Sequence, residues 1–338
     1  MTDMQQLFVH WMKQLITKRE KGNDTMVEEF LLLGFKSVPA PESLLFLVFL
    51  VVYIITIGGN ILVATIVLTT YHLHKPMYFF LGNLAVLETF YTSTILPRIL
   101  ASFISHYQRI SFTGCFLQFY FFASLVCTEC YLLSAMSYDR YLAICRPLHY
   151  VTIMNGRLCF QLSLATWITG FVASAFTTFF ASQLKFCGPN EIDSFFCDYS
   201  PLLLLSCSDT QQTETLMSVL GAACTMPPLL LTMVSYVCII TTILKIPSTT
   251  SRRKAFSTCS SHLTVVTIFY GTLIIVYILP KTNALRDMNK VFAVFYTIVA
   301  PMVNPFIYSL RNTEFRVALR KAVCKLVTWR RIQRIQVP

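Results

Sequence analysis

Charge is what this chain has least of. Only 13% of its 338 residues are Asp, Glu, Lys or Arg, and five stretches, 44–68, 158–184, 215–244, 255–280 and 291–310, contain none of the four. A water-soluble domain of this size has no core large enough for so much apolar surface, so an ordinary soluble fold is excluded. Two further runs, 77–96 and 111–138, hold one acid each, Glu88 and Glu129. A helix crosses the hydrocarbon with about 20 apolar residues, and all seven runs reach that length. Outer-membrane strands are shorter and alternate in polarity, so these continuous runs exclude a β-barrel as well. The expectation is an all-α membrane protein, a seven-transmembrane helix bundle.

Other absences narrow the chemistry. No cysteine pair has metal-site spacing with histidine, and His262, near one end of the sixth run, has no visible partner that would make a nucleophile and base, so an intramembrane enzyme is not expected. No internal repeat is evident, which argues against a transporter built from duplicated halves, the main rival of another class. The net charge of +11 comes from residues scattered between apolar runs. It forms no basic face for nucleic acid. Residues 1–43 hold no apolar run long enough for a signal-peptide core, so the first span is expected to act as the targeting signal.

The division that follows is a tail over 1–43, spans at about 44–68, 77–100, 111–140, 158–184, 215–244, 255–280 and 291–310, and a second tail over 311–338. An odd number of spans places the two termini on opposite sides. Connections 1–2, 3–4 and 5–6 with the C-terminal tail carry 16 of the 27 Lys and Arg residues, against 6 in the other three connections. The positive-inside rule then puts the C-terminus in the cytoplasm and the N-terminus outside. The sequon Asn23-Asp24-Thr25 falls on the outer side, where glycosylation occurs. Cys115, Cys187, Cys197 and Cys207 lie on that oxidising side, and spacing alone leaves three pairings open. The long 4–5 connection forms a cap over the outer mouth. Past the seventh span, Phe315, Leu319, Ala322, Val323 and Leu326 recur at helical spacing between basic residues. This is the pattern of an amphipathic helix lying on anionic membrane lipid, with its apolar face down.

Ionisable groups inside a bilayer are costly, so the few present are functional candidates. In span 3, stepping back from Arg140 by three or four residues puts Met136, Leu133, Glu129, Val126 and Phe122 on one face. At 1.5 Å per residue, Glu129 lies ~16 Å and Phe122 ~27 Å from Arg140. One face therefore runs from the cytoplasmic boundary to the outer half of the bundle. Asn60, Glu88, Glu129, Asn304 and the Asp139-Arg140 pair can build a polar interior network, the bland alternative being plain helix-to-helix hydrogen bonding. Pro305 loosens span 7, and Pro227-Pro228 does so in span 5.

The run 136–150, MSYDRYLAICRPLHY, resembles the signature of vertebrate olfactory receptors, a branch of the rhodopsin-like G-protein-coupled receptors. The resemblance recurs in 73–81 (LHKPMYFFL), 254–263 (KAFSTCSSHL) and 301–312 (PMVNPFIYSLRN), in family order, and covers roughly 23–326. It is nearer the tetrapod-type class than the fish-like one. Lys75, Gly82 and Glu88 stand where Thr, Ser and Asp are commoner, and residues 1–22 have no usual counterpart.

The resemblance implies the disulfides Cys115–Cys197 and Cys187–Cys207. It implies a sodium or water site, assigned here to Glu88 and Glu129 with Asn60, and no other cofactor. It makes Asp139, Arg140, Tyr141, Tyr236, Asn304, Pro305 and Tyr308 the activation switch, with Tyr236 and Tyr308 swinging toward Arg140 when Asp139 lets go. The ligand site is expected in the outer half of the facing helices: Phe122, Ala123, Val126 and Cys127 of span 3, Leu220 and Cys224 of span 5, and Tyr270, Leu273, Ile274 and Tyr277 of span 6. These carry no charge, which suits a small, mostly apolar odorant and disfavours an amine. The implied partner is the stimulatory olfactory heterotrimeric G protein, raising cyclic AMP, and the implied location is the plasma membrane of olfactory cilia. A rhodopsin-like receptor for a non-volatile ligand is the nearest alternative.

Overall fold

The computed structural model describes residues 27–35, 40–105, 108–187, 190–207, 211–278, 290–311, 314–321 and 324. Among them are 7 helices long and apolar enough to cross a membrane. Span 1 is Glu42–Thr69, span 2 Pro76–Ser105, span 3 Phe112–Cys145, span 4 Gly156–Ser182 and span 5 Gln211–Leu244. Span 6 is α-helical over Thr249–Leu273 and widens to a π-helix over Ile274–Ile278. Span 7 has its apolar stretch at Lys290–Ile307, with a π-helix at Phe295–Val299 and an α-helix at Ala300–Arg311.

The helices start where a side chain takes up a backbone N–H that lacks an intrahelical acceptor. Ser111 accepts from Gly114 at 3.2 Å, Asn155 from Leu158 at 2.9 Å and Ser248 from Ser251 at 3.3 Å. Many hydroxyls inside the spans are satisfied locally: Thr56 donates to the Val52 carbonyl, Thr128 to Ser124 and Thr297 to Ala293, at 2.6–2.7 Å. Such bonds let small polar residues sit at helix contacts in hydrocarbon without an unpaired group.

Span 3 is the axis of the bundle. In its most apolar window 67% of residues are buried, against 22% for span 1. Span 4 comes closest to it at Gly170. A Cβ there would meet the Thr128 hydroxyl and lie 2.6 Å from the Ser124 carbonyl oxygen and 3.0 Å from the Thr128 nitrogen. Spans 1 and 7 touch in the same way where Gly59 faces the Pro305 ring.

One end of the bundle carries a cap. Strand β1 (Glu29–Leu32) lies between β2 (Arg109–Ser111), to which it is antiparallel, and β3 (Glu191–Ile192), to which it is parallel. The end of the stretch read from sequence as a polar tail is thus a strand whose Phe30 and Leu32 are buried. Disulfides Cys115–Cys197 and Cys187–Cys207, with Cα atoms 5.4 and 5.9 Å apart, fasten the 4–5 connection to span 3 and to itself. Gln118 adds a polar stitch. Its amide donates to the Thr94 carbonyl at 2.9 Å and accepts from the Cys197 N–H at 3.0 Å, joining spans 2 and 3 to the cap. Lys290, at the start of span 7, pairs with Asp193 of the cap.

At the opposite end, residues 314–321 are helical. The expectation that this segment lays its whole apolar face on lipid needs correcting. Phe315 is 1% exposed and Ala318 7%, packed into the main core of the bundle with Leu319 against it. A tether explains the direction: Glu314 takes hydrogen bonds from Lys75 at 2.8 Å to each oxygen and from Tyr78 at 3.0 Å, all at the start of span 2. The Lys75 ammonium holds the Glu314 carboxyl below its ordinary value. Ala322, Val323 and Leu326 lie outside the described residues.

The Gly170 contact leads to a stability prediction. The atoms that a methyl group would meet are mainly backbone, so Gly170→Ala should destabilise the bundle by about 1–3 kcal/mol. A melting curve of the purified protein in lipid nanodiscs reads this directly. An unchanged midpoint would mean that spans 3 and 4 do not approach this closely.

Candidate functional site

The site residues stack along span 3. Toward the cap, Phe122 is buried in an aromatic cluster drawn from four segments: its ring centroid is 4.8 Å from Phe196 of the cap, 5.3 Å from Tyr91 of span 2 and 6.1 Å from Tyr296 of span 7. Phe196 therefore plugs the bundle from above. Val126 packs against the core that holds this cluster and Ala123 against the separate core under the cap that holds Phe116 and Phe119, both half-buried. Cys127 faces span 5, where its thiol hydrogen-bonds with Cys224, while Leu220 is half-buried one turn nearer the cap. Tyr131, one turn further along span 3, donates to the Ala223 carbonyl at 3.5 Å.

On span 6, Tyr270 and Leu273 are buried and Ile274 half-buried. The Tyr270 hydroxyl is committed to the protein, donating to the Cys130 carbonyl at 2.9 Å. The shared stripe expected of Tyr270, Leu273, Ile274 and Tyr277 rests on a 3.6-residue period. That period ends at Leu273, because the backbone from Ile274 onward has the wider i to i+5 turn. The Tyr277 side chain lies outside the described residues. Spans 3, 5 and 6 thus bring together Cys127 with Cys224 and Cys130 with Tyr270. Phe122 turns instead toward spans 2 and 7 and the cap.

One level deeper, Glu88 and Glu129 are both buried, at 1% and 2% exposure. The Asn304 amide donates to Glu88, the Asn60 side chain hydrogen-bonds it too, and the Glu129 carboxyl is close enough to repel its charge. Asn60 also donates to the Pro301 carbonyl at 3.3 Å, so one cluster ties spans 1, 2, 3 and 7 together beside Pro305. Its donor set is oxygen-rich, carboxylates and amides, which suits a hard cation or water and not a soft metal.

At the end away from the cap, Arg140 is locked. Its guanidinium donates to the Asp139 carboxylate at 2.6 and 3.0 Å, with 11% of the Arg140 side chain and 1% of the Asp139 side chain exposed. The second Asp139 oxygen accepts from the Tyr150 hydroxyl at 2.8 Å. Tyr150 sits on a short helix, Pro147–Ile153, that starts with proline at a position where no N–H is needed. Burial, and then the adjacent Asp139 carboxylate, push the Tyr150 phenol above its ordinary value, so the hydroxyl keeps its proton and stays a donor.

Beside this lock, Tyr141 is half-buried between spans 3, 5 and 6. The Tyr236 hydroxyl lies 2.6 Å from His262 Nδ1 with the two rings stacked. His262 therefore has the partner that the sequence did not reveal, and its role is to pair spans 5 and 6. The Tyr308 side chain and Asn23 lie outside the described residues. Tyr150, Phe196, Tyr91, Tyr296 and Gln118 escaped the sequence reading. Only Tyr150 carried a signal, its place at the end of the 136–150 block.

A family model described as "Olfactory receptor" matches residues 49–326. The chain is similar to human olfactory receptor 6B1, 51% identical over 307 residues that cover 90% of this chain and 98% of that one. It is similar to human olfactory receptor 6F1, 49% identical over 302 residues, covering 89% and 98%. Mouse olfactory receptor 5P68 is 46% identical over 307 residues, covering 90% and 98%. With its lock, its buried carboxylates and its capped aromatic cluster aligned along one helix, the chain belongs to the olfactory receptor family.

Proposed function

We propose that this protein is an odorant receptor of the plasma membrane, oriented with the cap outside and Arg140 at the cytoplasm, that couples to the stimulatory olfactory G protein and raises cyclic AMP. The observation that carries this reading is the Asp139–Arg140 pair. It is a charge pair held almost out of water at one end of the same helix whose other end meets the cap. The orientation rests on the distribution of Lys and Arg and on two disulfides gathered at one end. The N-terminal tail, with Asn23, then lies outside. Olfactory cilia as the site of expression follow from the family alone.

Odorant binding is assigned to the chamber between spans 3, 5 and 6. There Cys127, Cys224, Val126 and Leu273 give an apolar lining with two thiols, below Phe196 of the cap, which plugs the bundle from above. An odorant that binds more tightly to the packing with spans 5 and 6 displaced shifts the population toward it. The Tyr236–His262 pair keeps those two spans moving together. Their displacement leaves Arg140 free of Asp139 and opens a cleft beside it, framed by Lys245, Arg252, Arg253 and Lys254, for the terminal helix of the G protein.

Three expected outcomes test the reading. In cells with a cyclic AMP reporter and an odorant panel, Arg140→Ala at equal surface expression should cut the ligand response by about tenfold or more, as for loss of a coupling contact. An undiminished response would sink the mechanism. Tyr150→Phe removes one hydrogen bond from Asp139, and should raise basal cyclic AMP by roughly two- to tenfold with no change in the set of active odorants. Unaltered basal signal would show that Tyr150 does not hold the lock. Replacing Glu88 and Glu129 together by Gln should change basal signalling and abolish its dependence on sodium. If both stay as they were, these carboxylates are packing groups and not a cation or water site.

A further inference from the structure

A cavity of about 180 Å³ opens at the cap end, between the segment after β1, the starts of span 1 and of the 2–3 connection, the end of span 2 and the cap. None of the ten residues assigned to the odorant chamber lines it. Its walls are aromatic: Phe35 stacks on Phe195 with centroids 5.1 Å apart, and Phe103 closes the side toward span 2. Leu32, Leu45 and Ile99 add to the apolar part, while Ser102 and Gln108 supply neutral polar groups and Glu42 and Arg98 line the cavity as charged ones. The amide oxygen of Gln108 is buried and accepts no hydrogen bond from any described residue. A buried acceptor without a donor is unfavourable, and a small turn of the Gln108 side chain into the cavity would let a ligand hydroxyl supply one. A hydroxyl also serves if the amide is turned the other way, since it accepts as well as donates.

The size selects the occupant. An apolar cavity of roughly 150 Å³ holds one benzene ring, whereas sites for drug-sized molecules begin near about 300 Å³. We propose that this cavity is a second small-molecule site, separate from the odorant chamber, that takes a short aliphatic or aromatic alcohol. The apolar body lies against Phe35, Phe103 and Phe195, and the hydroxyl donates to Gln108. Because Phe195 is followed by Phe196, whose ring is 4.9 Å away and plugs the bundle from above, an occupant here touches the element that lies over the main site.

The test is photolabelling of the purified full-length receptor in lipid nanodiscs with a diazirine-bearing hexanol and, in parallel, its methyl ether. Labelling is read by mass spectrometry, independently of G-protein coupling, so failure of the odorant-receptor reading and failure of this one are distinguishable. The alcohol should mark peptides containing Leu45, Phe103 or Phe195 saturably. The ether, which keeps the acceptor but lacks the donor, should mark them about tenfold less, and Gln108→Leu should erase that difference. Ser102→Trp, which fills the cavity, should cut labelling there about tenfold, with labelling of span 6 peptides unchanged. If Ser102→Trp does not reach the membrane folded, Ile99→Phe reduces the same space and is read identically. Equal labelling by alcohol and ether, labelling that does not saturate, or labelling insensitive to both filling variants would overturn the proposal.

Discussion

In hydrocarbon a polar group has no water to fall back on, and the rest of this structure depends on that constraint. Many serine and threonine hydroxyls turn back on their own helices, and the buried carboxylates gather where Asn60 and Asn304 can face them. A charged pair survives at the end of span 3 because Asp139 has both oxygens engaged, one by Arg140 and one by Tyr150. Each solution uses few partners. Removing one leaves a group that must find another.

Packing sorts the helices into fixed and movable ones. Span 3 is pinned at the cap by a disulfide and by Gln118, and against span 4 by backbone contact at Gly170. Span 5 lies broadly along span 3 and bonds to it at several heights, from the Cys127–Cys224 thiols and Tyr131 to the Cys145 thiol, 3.2 Å from the Thr242 hydroxyl. Span 6 is tied to span 3 more sparsely; among the described residues Tyr270 donates to the Cys130 carbonyl at 2.9 Å. The π-turns in spans 6 and 7 add backbone that is less tightly wound just where those helices near the cap. A receptor with a rigid axis and one sparsely attached helix has its moving part decided before any ligand binds.

The spans were legible in the sequence because a bilayer imposes its threshold on contiguous residues: twenty uncharged positions in a row mean one thing only. Motif residues were legible for a different reason, since Asp139, Arg140 and Asn304 are charged or amide groups where apolar ones are expected. What stayed hidden is pairwise and long-range. Nothing in Glu29-Phe30-Leu31-Leu32 announces a strand, as its partners lie at 109–111 and 191–192. Gln118 looks like any polar residue near a helix end until Thr94 and Cys197 come to meet it. Tyr236 and His262 are on different helices, so the missing partner of the histidine could not be seen. The change from α-helix to π-helix at Ile274 was equally hidden, because a sequence period gives no sign of where the winding alters.

The small sheet also has a consequence for biosynthesis. Strand β1 leaves the ribosome ahead of every span, yet it lies between two strands made later, the last of them at 191–192, after four spans have been laid down. The sheet cannot close during the synthesis of its first member. In the orientation proposed above, the N-terminal segment crosses the membrane early and waits, unpaired, on the side where the cap will appear, while loop closure over some 160 residues sets the pace. During that interval Cys115 is already exposed to the oxidising side without its partner Cys197. In that window, between the third and fifth spans, Cys115 is open to mispairing.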